Sequence, residues 1–155
     1  MIADSPYELA ERTLPPWAGV VAGLAGAAAM LGFLSIAGGT QAYSSGEVLH
    51  LIGTTVLPQA ESWSVAVGAI THFATGALFG LLYAICQQRL PLRSLIGVCV
   101  FYGFFLWVLP AFPLAFLFAE ELHTMLRSWI WLFTCLIYAA VLAGVTIAYY
   151  NRQIT

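Results

Sequence analysis

The chain has 155 residues, of which 61% are hydrophobic and only 8% are charged, and its formal net charge is -2. A soluble domain carries about 25% charged residues, so this composition excludes a soluble protein and predicts an integral membrane protein. All the basic residues are arginines, and the slight negative charge argues against a nucleic-acid partner.

Four apolar runs follow one another along the chain. A hydrocarbon core about 30 Å thick needs about 20 apolar residues per helix, and the runs at 17–37, 63–86, 94–118 and 126–149 are long enough. They are continuous rather than alternating in polarity, which favours helices over barrel strands. We therefore predict an all-α polytopic membrane protein, a single domain over residues 1–155, with four transmembrane helices in two antiparallel hairpins.

Two segments outside these spans have the pattern of short helices. Residues 5–13 begin with a capping-box sequence, and residues 45–57 follow a second one that pairs Ser44 with Glu47. The second segment also has an apolar face, which is typical of a helix that lies on a membrane surface or dips into it. We expect both segments to be interfacial helices.

The second span carries a stripe of small residues with a histidine in it. Gly68, His72, Gly76 and Gly80 follow at steps of four, which places them on one face of a helix. His72 is the only histidine in a predicted span. Since a polar side chain in hydrocarbon is costly unless it is partnered, these four residues are a candidate cofactor-binding site.

Three interpretations of this stripe stay open. His72 can hydrogen-bond a neighbouring helix while the glycines simply pack. Alternatively, a neutral imidazole can ligate haem iron or the magnesium of a chlorophyll-type pigment, with the glycines leaving space for a flat macrocycle. The third interpretation is contact with a quinone or a bound lipid headgroup.

Two Glu-x-x-His motifs form a second constellation, Glu47 with His50 and Glu120 with His123. A carboxylate and an imidazole three residues apart share a helix face, and di-iron carboxylate bundles use two such motifs. These four residues are therefore a candidate metal site on the outer face. The alternative is that they are ordinary exposed side chains, because both motifs fall in predicted loops rather than in helix cores.

The arginines predict the orientation of the chain. Arg12, Arg89, Arg93 and Arg152 flank the spans on one side, and only Arg127 flanks them on the other. By the positive-inside rule, both termini are cytoplasmic in a multi-pass protein of a bacterial inner (cytoplasmic) membrane.

The first two spans resemble a group of small bacterial four-helix membrane proteins, the YagU-like kind. The resemblance rests on the sequences AGVVAG at 18–23 and HFATGALFGLLYA at 72–84. It implies a four-helix integral membrane protein and brings no agreed activity with it.

Catalytic signatures are absent from the sequence, which has no glycine-rich phosphate loop, HExxH, CxxC or nucleophile elbow. We therefore expect a non-catalytic accessory subunit of a larger energy-transducing membrane complex, respiratory or photosynthetic. Its partners would be other integral membrane subunits and lipids, contacted through the small-residue faces of the first two spans. The alternatives are a cofactor- or metal-binding protein that uses His72 or the Glu-x-x-His pair, and a small transporter or lipid-handling protein.

Overall fold

The fold is known from a computed structural model, which describes residues 14–37, 43–59, 61–87, 95–111 and 120–152. Nearly all of this part of the chain is helical, and no strand occurs in it, which confirms the predicted all-α class.

The described residues form six α-helices, in chain order. They are α1 (Pro16–Ala37), α2 (Ser45–Val56), α3 (Ser64–Gln87), α4 (Leu95–Ala111), α5 (Glu120–Leu126) and α6 (Trp129–Arg152), with a 3₁₀ turn at Glu61–Trp63 before α3.

Three of these helices are long and apolar enough to cross a membrane: α1, α3 with its preceding turn, and α6. They agree within three residues with the predicted spans at 17–37, 63–86 and 126–149. The 17 residues of α4 match the beginning of the span predicted at 94–118. The rest of that span, and the helix predicted at 5–13, fall outside the described residues.

The backbones of α1 and α3 touch along their glycines. A Cβ atom on Gly23 would overlap the carbonyl oxygen of Gly76, and one on Gly80 would overlap the carbonyl oxygen of Gly19. The two helices are antiparallel, because the residue numbers of the contacts decrease along α3 as they increase along α1. The small-residue faces, expected to dock other subunits, are therefore covered within the chain.

Side-chain hydrogen bonds join α3 to α6 and fix their relative direction. The Tyr138 hydroxyl donates to the Gly76 carbonyl over 2.6 Å, and the Tyr150 hydroxyl donates to Oε1 of Gln87 over 2.9 Å. Because the numbers rise together on both helices, α3 and α6 run in the same direction.

Side-chain contacts between α3 and α4 show that these two helices run in opposite directions. The Tyr102 hydroxyl donates to the Phe79 carbonyl over 2.6 Å, and the Tyr83 hydroxyl lies 3.5 Å from Sγ of Cys99. These two helices are therefore antiparallel.

The segment expected to form an interfacial helix at 45–57 forms α2, which packs lengthwise against the first half of α3. A Cβ on Gly53 would overlap the Ser64 carbonyl, and one on Gly68 would overlap the Leu49 carbonyl. The two helices are antiparallel, so α2 lies along a candidate membrane span rather than across it.

Candidate functional site

A cavity of about 290 Å³ lies between the helices, and all six of them contribute to its wall. The largest share comes from α3, through Thr71, His72, Thr75, Gly76 and Phe79. Most of the remaining wall consists of aliphatic and aromatic side chains, and no Asp, Glu, Lys or Arg occurs among the described residues that line it. The site is an apolar chamber with a few polar groups on one wall.

His72 reaches this chamber from the face of α3 that packs against α1. Its side chain is only 9% exposed. The ring Nε2 lies 3.1 Å from the carbonyl oxygen of Ala27 on α1, and the ring of Phe73 meets it edge-on. A hydrogen bond across to a neighbouring helix is the contact that the packing interpretation expects.

The second ring nitrogen of His72, Nδ1, forms no hydrogen bond with the residues that the structure describes. A carbonyl oxygen only accepts, so Nε2 must carry the proton that it shares with Ala27. On a neutral ring, Nδ1 then has a free lone pair and can accept a hydrogen bond. His72 is thus both a helix contact and a potential ligand group.

Two threonine hydroxyls beside His72 are also unused. Threonines in helices usually donate to a carbonyl one turn back. Thr71 and Thr75 line the cavity, and neither hydroxyl has a hydrogen-bond partner within the described ranges. The other threonines of the described helices all donate to a carbonyl of their own helix: Thr54, Thr55, Thr124, Thr134 and Thr146.

The glycines of the predicted stripe lie against neighbouring helices, and Gly76 also borders the cavity. Gly68 faces the backbone of α2, and both Gly76 and Gly80 face the backbone of α1. The cavity itself is only about twice the ~150 Å³ volume that holds a benzene molecule in a protein core. The stripe therefore serves close helix packing, and the cavity beside it is small for haem or a chlorophyll-type macrocycle.

The first Glu-x-x-His motif is engaged in helix and loop contacts. Glu47 completes a capping box with Ser44 at the start of α2. The Glu47 carboxylate accepts a hydrogen bond from the backbone amide of Ser44, and this bond is the main cause that lowers its pKa. A hydrogen bond with the Ser44 side chain lowers the pKa further. His50 places Nδ1 2.6 Å from the Ser64 hydroxyl, which joins α2 to the beginning of α3.

The second motif makes a helix contact of its own. His123 donates from Nε2 to the Ala111 carbonyl over 3.1 Å, and the Glu120 side chain is exposed. In the part of the chain that the structure describes, no group of three or more His, Cys, Asp or Glu side chains is close enough to hold a metal ion.

Several residues of the cavity were not anticipated. Trp131, Cys135 and Tyr138 come from α6 and Leu106 comes from α4. They lie in continuous apolar runs, so the sequence pattern does not distinguish the side chains that face inward from those that face outward. Only the threonines next to His72 offered a signal, since two hydroxyls lie beside the one histidine of the predicted spans.

Comparison with known proteins gives a family and no function. A family model described as a family of unknown function, DUF6789, matches residues 15–155. No curated protein and no solved structure matches the chain. The resemblance to YagU-like proteins stays a prediction. Since the match covers nearly the whole sequence, the chain belongs to the DUF6789 family.

Proposed function

We propose that this protein is a non-catalytic membrane protein that holds one small apolar molecule in the cavity at His72. The observation that carries the proposal is an apolar chamber of about 290 Å³ bounded by all six helices. Protein cores are close-packed and leave few voids larger than a water molecule. Ligand sites are typically apolar chambers with a few placed polar groups, which is the composition found here.

The helix directions and the arginines support a placement of the chain in the membrane. We propose four spans, with α4 as the third in chain order. Its 17 residues extend about 26 Å at 1.5 Å per residue. The rings of Trp17 and Tyr149 lie 6.2 Å apart, so α1 begins where α6 ends. Arg152 belongs to that end, which supports cytoplasmic termini in a bacterial inner membrane.

Binding of 4-butylanisole, an apolar probe, by the purified full chain in lipid nanodiscs tests the cavity. Leu106 lines the chamber, so Leu106→Trp should fill it. Leu78 is 54% exposed on the outer face of α3 and provides the matched control, Leu78→Trp.

We expect one saturable site in the natural chain and in Leu78→Trp, and loss of that site in Leu106→Trp. Uptake that never saturates, and is equal in all three proteins, would mean that the probe only dissolves in the lipid. That result would refute the proposal.

A second candidate function is an accessory subunit of a larger, energy-transducing membrane complex. A specific feature of α6 favours it. Ala140, Gly144 and Ala148 follow at steps of four, and all three are exposed. No atom lies within 4 Å of a Cβ built on Gly144. Exposed small residues at this spacing let another transmembrane helix approach closely.

Size-exclusion chromatography after gentle extraction from the native membrane tests the subunit function. The natural chain should elute in a large particle, and Gly144→Leu should release it from that particle. The control is Gly97→Leu, since a Cβ on Gly97 also meets no atom within 4 Å. Elution of the natural chain by itself would contradict this function.

A further inference from the structure

We infer that the cavity accepts a neutral, single-ring molecule with a hydroxyl group, a phenol or a ring-bearing alcohol, whose hydroxyl donates to Nδ1 of His72. This inference rests on the proposed function, because it names the chemical class of the molecule that the cavity holds.

The acceptor is the first part of the argument. Nε2 of His72 is already used by the Ala27 carbonyl. The ring is buried to all but 9% of its surface and lines the chamber. Nδ1 is an acceptor without a partner among the described residues, so a ligand that donates a hydrogen bond gains more here than one that only accepts.

The threonines supply the complementary groups. A hydroxyl that donates to Nδ1 still has lone pairs on its oxygen, and these need donors. Thr71, which is half-buried, and Thr75, which is exposed, line the same cavity, and neither hydroxyl has a partner among the described residues. In contrast, Thr134 and Thr146 donate to the carbonyls of Ile130 and Leu142, each over 2.7 Å.

Charge and size narrow the class further. The described lining offers no Lys or Arg to pair an anion and no Asp or Glu to pair a cation, and an unpaired ion in such a chamber is strongly disfavoured. The volume of about 290 Å³ is close to twice the ~150 Å³ that encloses benzene. A neutral ring with short substituents fits these limits.

Two matched probes test the inference in the full chain: 4-butylphenol, which has a hydroxyl donor, and 4-butylanisole, in which a methyl group replaces that proton. We expect the phenol to bind about three- to tenfold more tightly, the factor that one net hydrogen bond supplies. Partition of each probe into lipid is measured with Leu106→Trp and subtracted.

Substitutions test which residues cause the tighter binding of the phenol. His72→Phe should abolish the preference for the phenol, and Thr75→Val should reduce it. Thr134→Val is the control, because its hydroxyl serves its own helix and should leave the preference unchanged. If His72→Phe does not fold, the comparison of the two probes in the natural chain and in Thr75→Val still decides.

The outcomes separate the inference from the function on which it rests. Failure of both probes to saturate a site would remove the proposed function itself. Equal affinity for the two probes in the natural chain would overturn the inference alone, as would a preference that persists in His72→Phe or is unaffected by Thr75→Val.

Discussion

At the scale of single residues, side chains of one helix donate hydrogen bonds to backbone carbonyls of a neighbouring helix. Tyr138 donates to Gly76 on α3, Tyr102 donates to Phe79, and His72 donates to α1. A carbonyl has two lone pairs and can accept such a bond while it keeps its helical one. Water does not compete in the hydrocarbon core, so these bonds fix how the helices sit against one another.

Tyr138→Phe tests this type of contact. The ring stays and only the hydrogen bond to Gly76 is lost, so we expect a loss of about 0.5–1.5 kcal/mol in the free energy of unfolding. Unfolding in mixed detergent micelles measures it. Tyr149→Phe is the control, because the Tyr149 hydroxyl has no partner in the described part of the chain. Equal effects of the two substitutions would contradict the assigned bond.

Gly23→Ala tests the close approach of α1 and α3. The added methyl group would overlap the Gly76 carbonyl, which cannot move without its helix. We expect destabilisation of about 1–3 kcal/mol, as for other overpacked sites, seen as a lower thermal midpoint. Gly32→Ala makes the same change on the same helix, where a Cβ meets no atom within 4 Å, and should be neutral. A neutral Gly23→Ala would contradict the packing.

At the scale of elements, α3 is the centre of the fold. One stretch of its surface meets α2 and the next meets α1, and its backbone carbonyls accept hydrogen bonds from tyrosines of α4 and α6. The short helix α2 is held by the Ser44–Glu47 capping box and by the contact of His50 with Ser64. A helix of 12 residues is marginal alone, so its cap and its packing on α3 both matter.

The capping box makes the stability of α2 depend on pH. The folded pKa of Glu47 lies below its ordinary value of 4.5, because Ser44 hydrogen-bonds the carboxylate. The stabilisation is therefore present above the unfolded pKa and is lost as the pH falls through the folded pKa.

Glu47→Gln removes this pH dependence, because an amide keeps the hydrogen bond and does not titrate. We expect the natural chain to lose more thermal stability than Glu47→Gln between neutral and acidic pH. Superimposable pH profiles would show that the ionisation of Glu47 contributes nothing to the stability of α2.

Most of the secondary structure of the described residues could be predicted from the sequence, and the packing could not. Continuous apolar runs gave α1, α3 and α6 within three residues, and the four-residue spacing placed Gly68, His72, Gly76 and Gly80 on one face. The partners of that face depend on helices distant in the chain, such as Ala27 for His72. The spacing therefore left helix packing and an open groove as alternatives, and the structure has the backbone of α1 or α2 against these glycines.

At the scale of the whole molecule, helices from distant parts of the sequence line one partly open cavity. The wall draws on residues from Ala27 to Tyr138, so the cavity exists only when the bundle is complete. Under the proposed arrangement of four spans, both termini lie at the arginine-rich end. The chamber then borders the middle of α3, within reach of molecules dissolved in the lipid.

Fusion reporters test the proposed orientation. Green fluorescent protein at either terminus should fluoresce, and alkaline phosphatase at either terminus should be inactive, because both ends are expected in the cytoplasm. Insertion of the phosphatase after Gln59, in the connection between α2 and α3, should give activity. Opposite signals from the two termini would contradict an even number of spans.

The most direct test of the central claim is an anomalous difference map from crystals of the full chain soaked in 4-bromophenol. The account predicts a bromine peak inside the chamber, near Trp131, with the hydroxyl of the same molecule directed at Nδ1 of His72. Bromine peaks confined to lipid-facing surfaces, with the chamber empty, would contradict it.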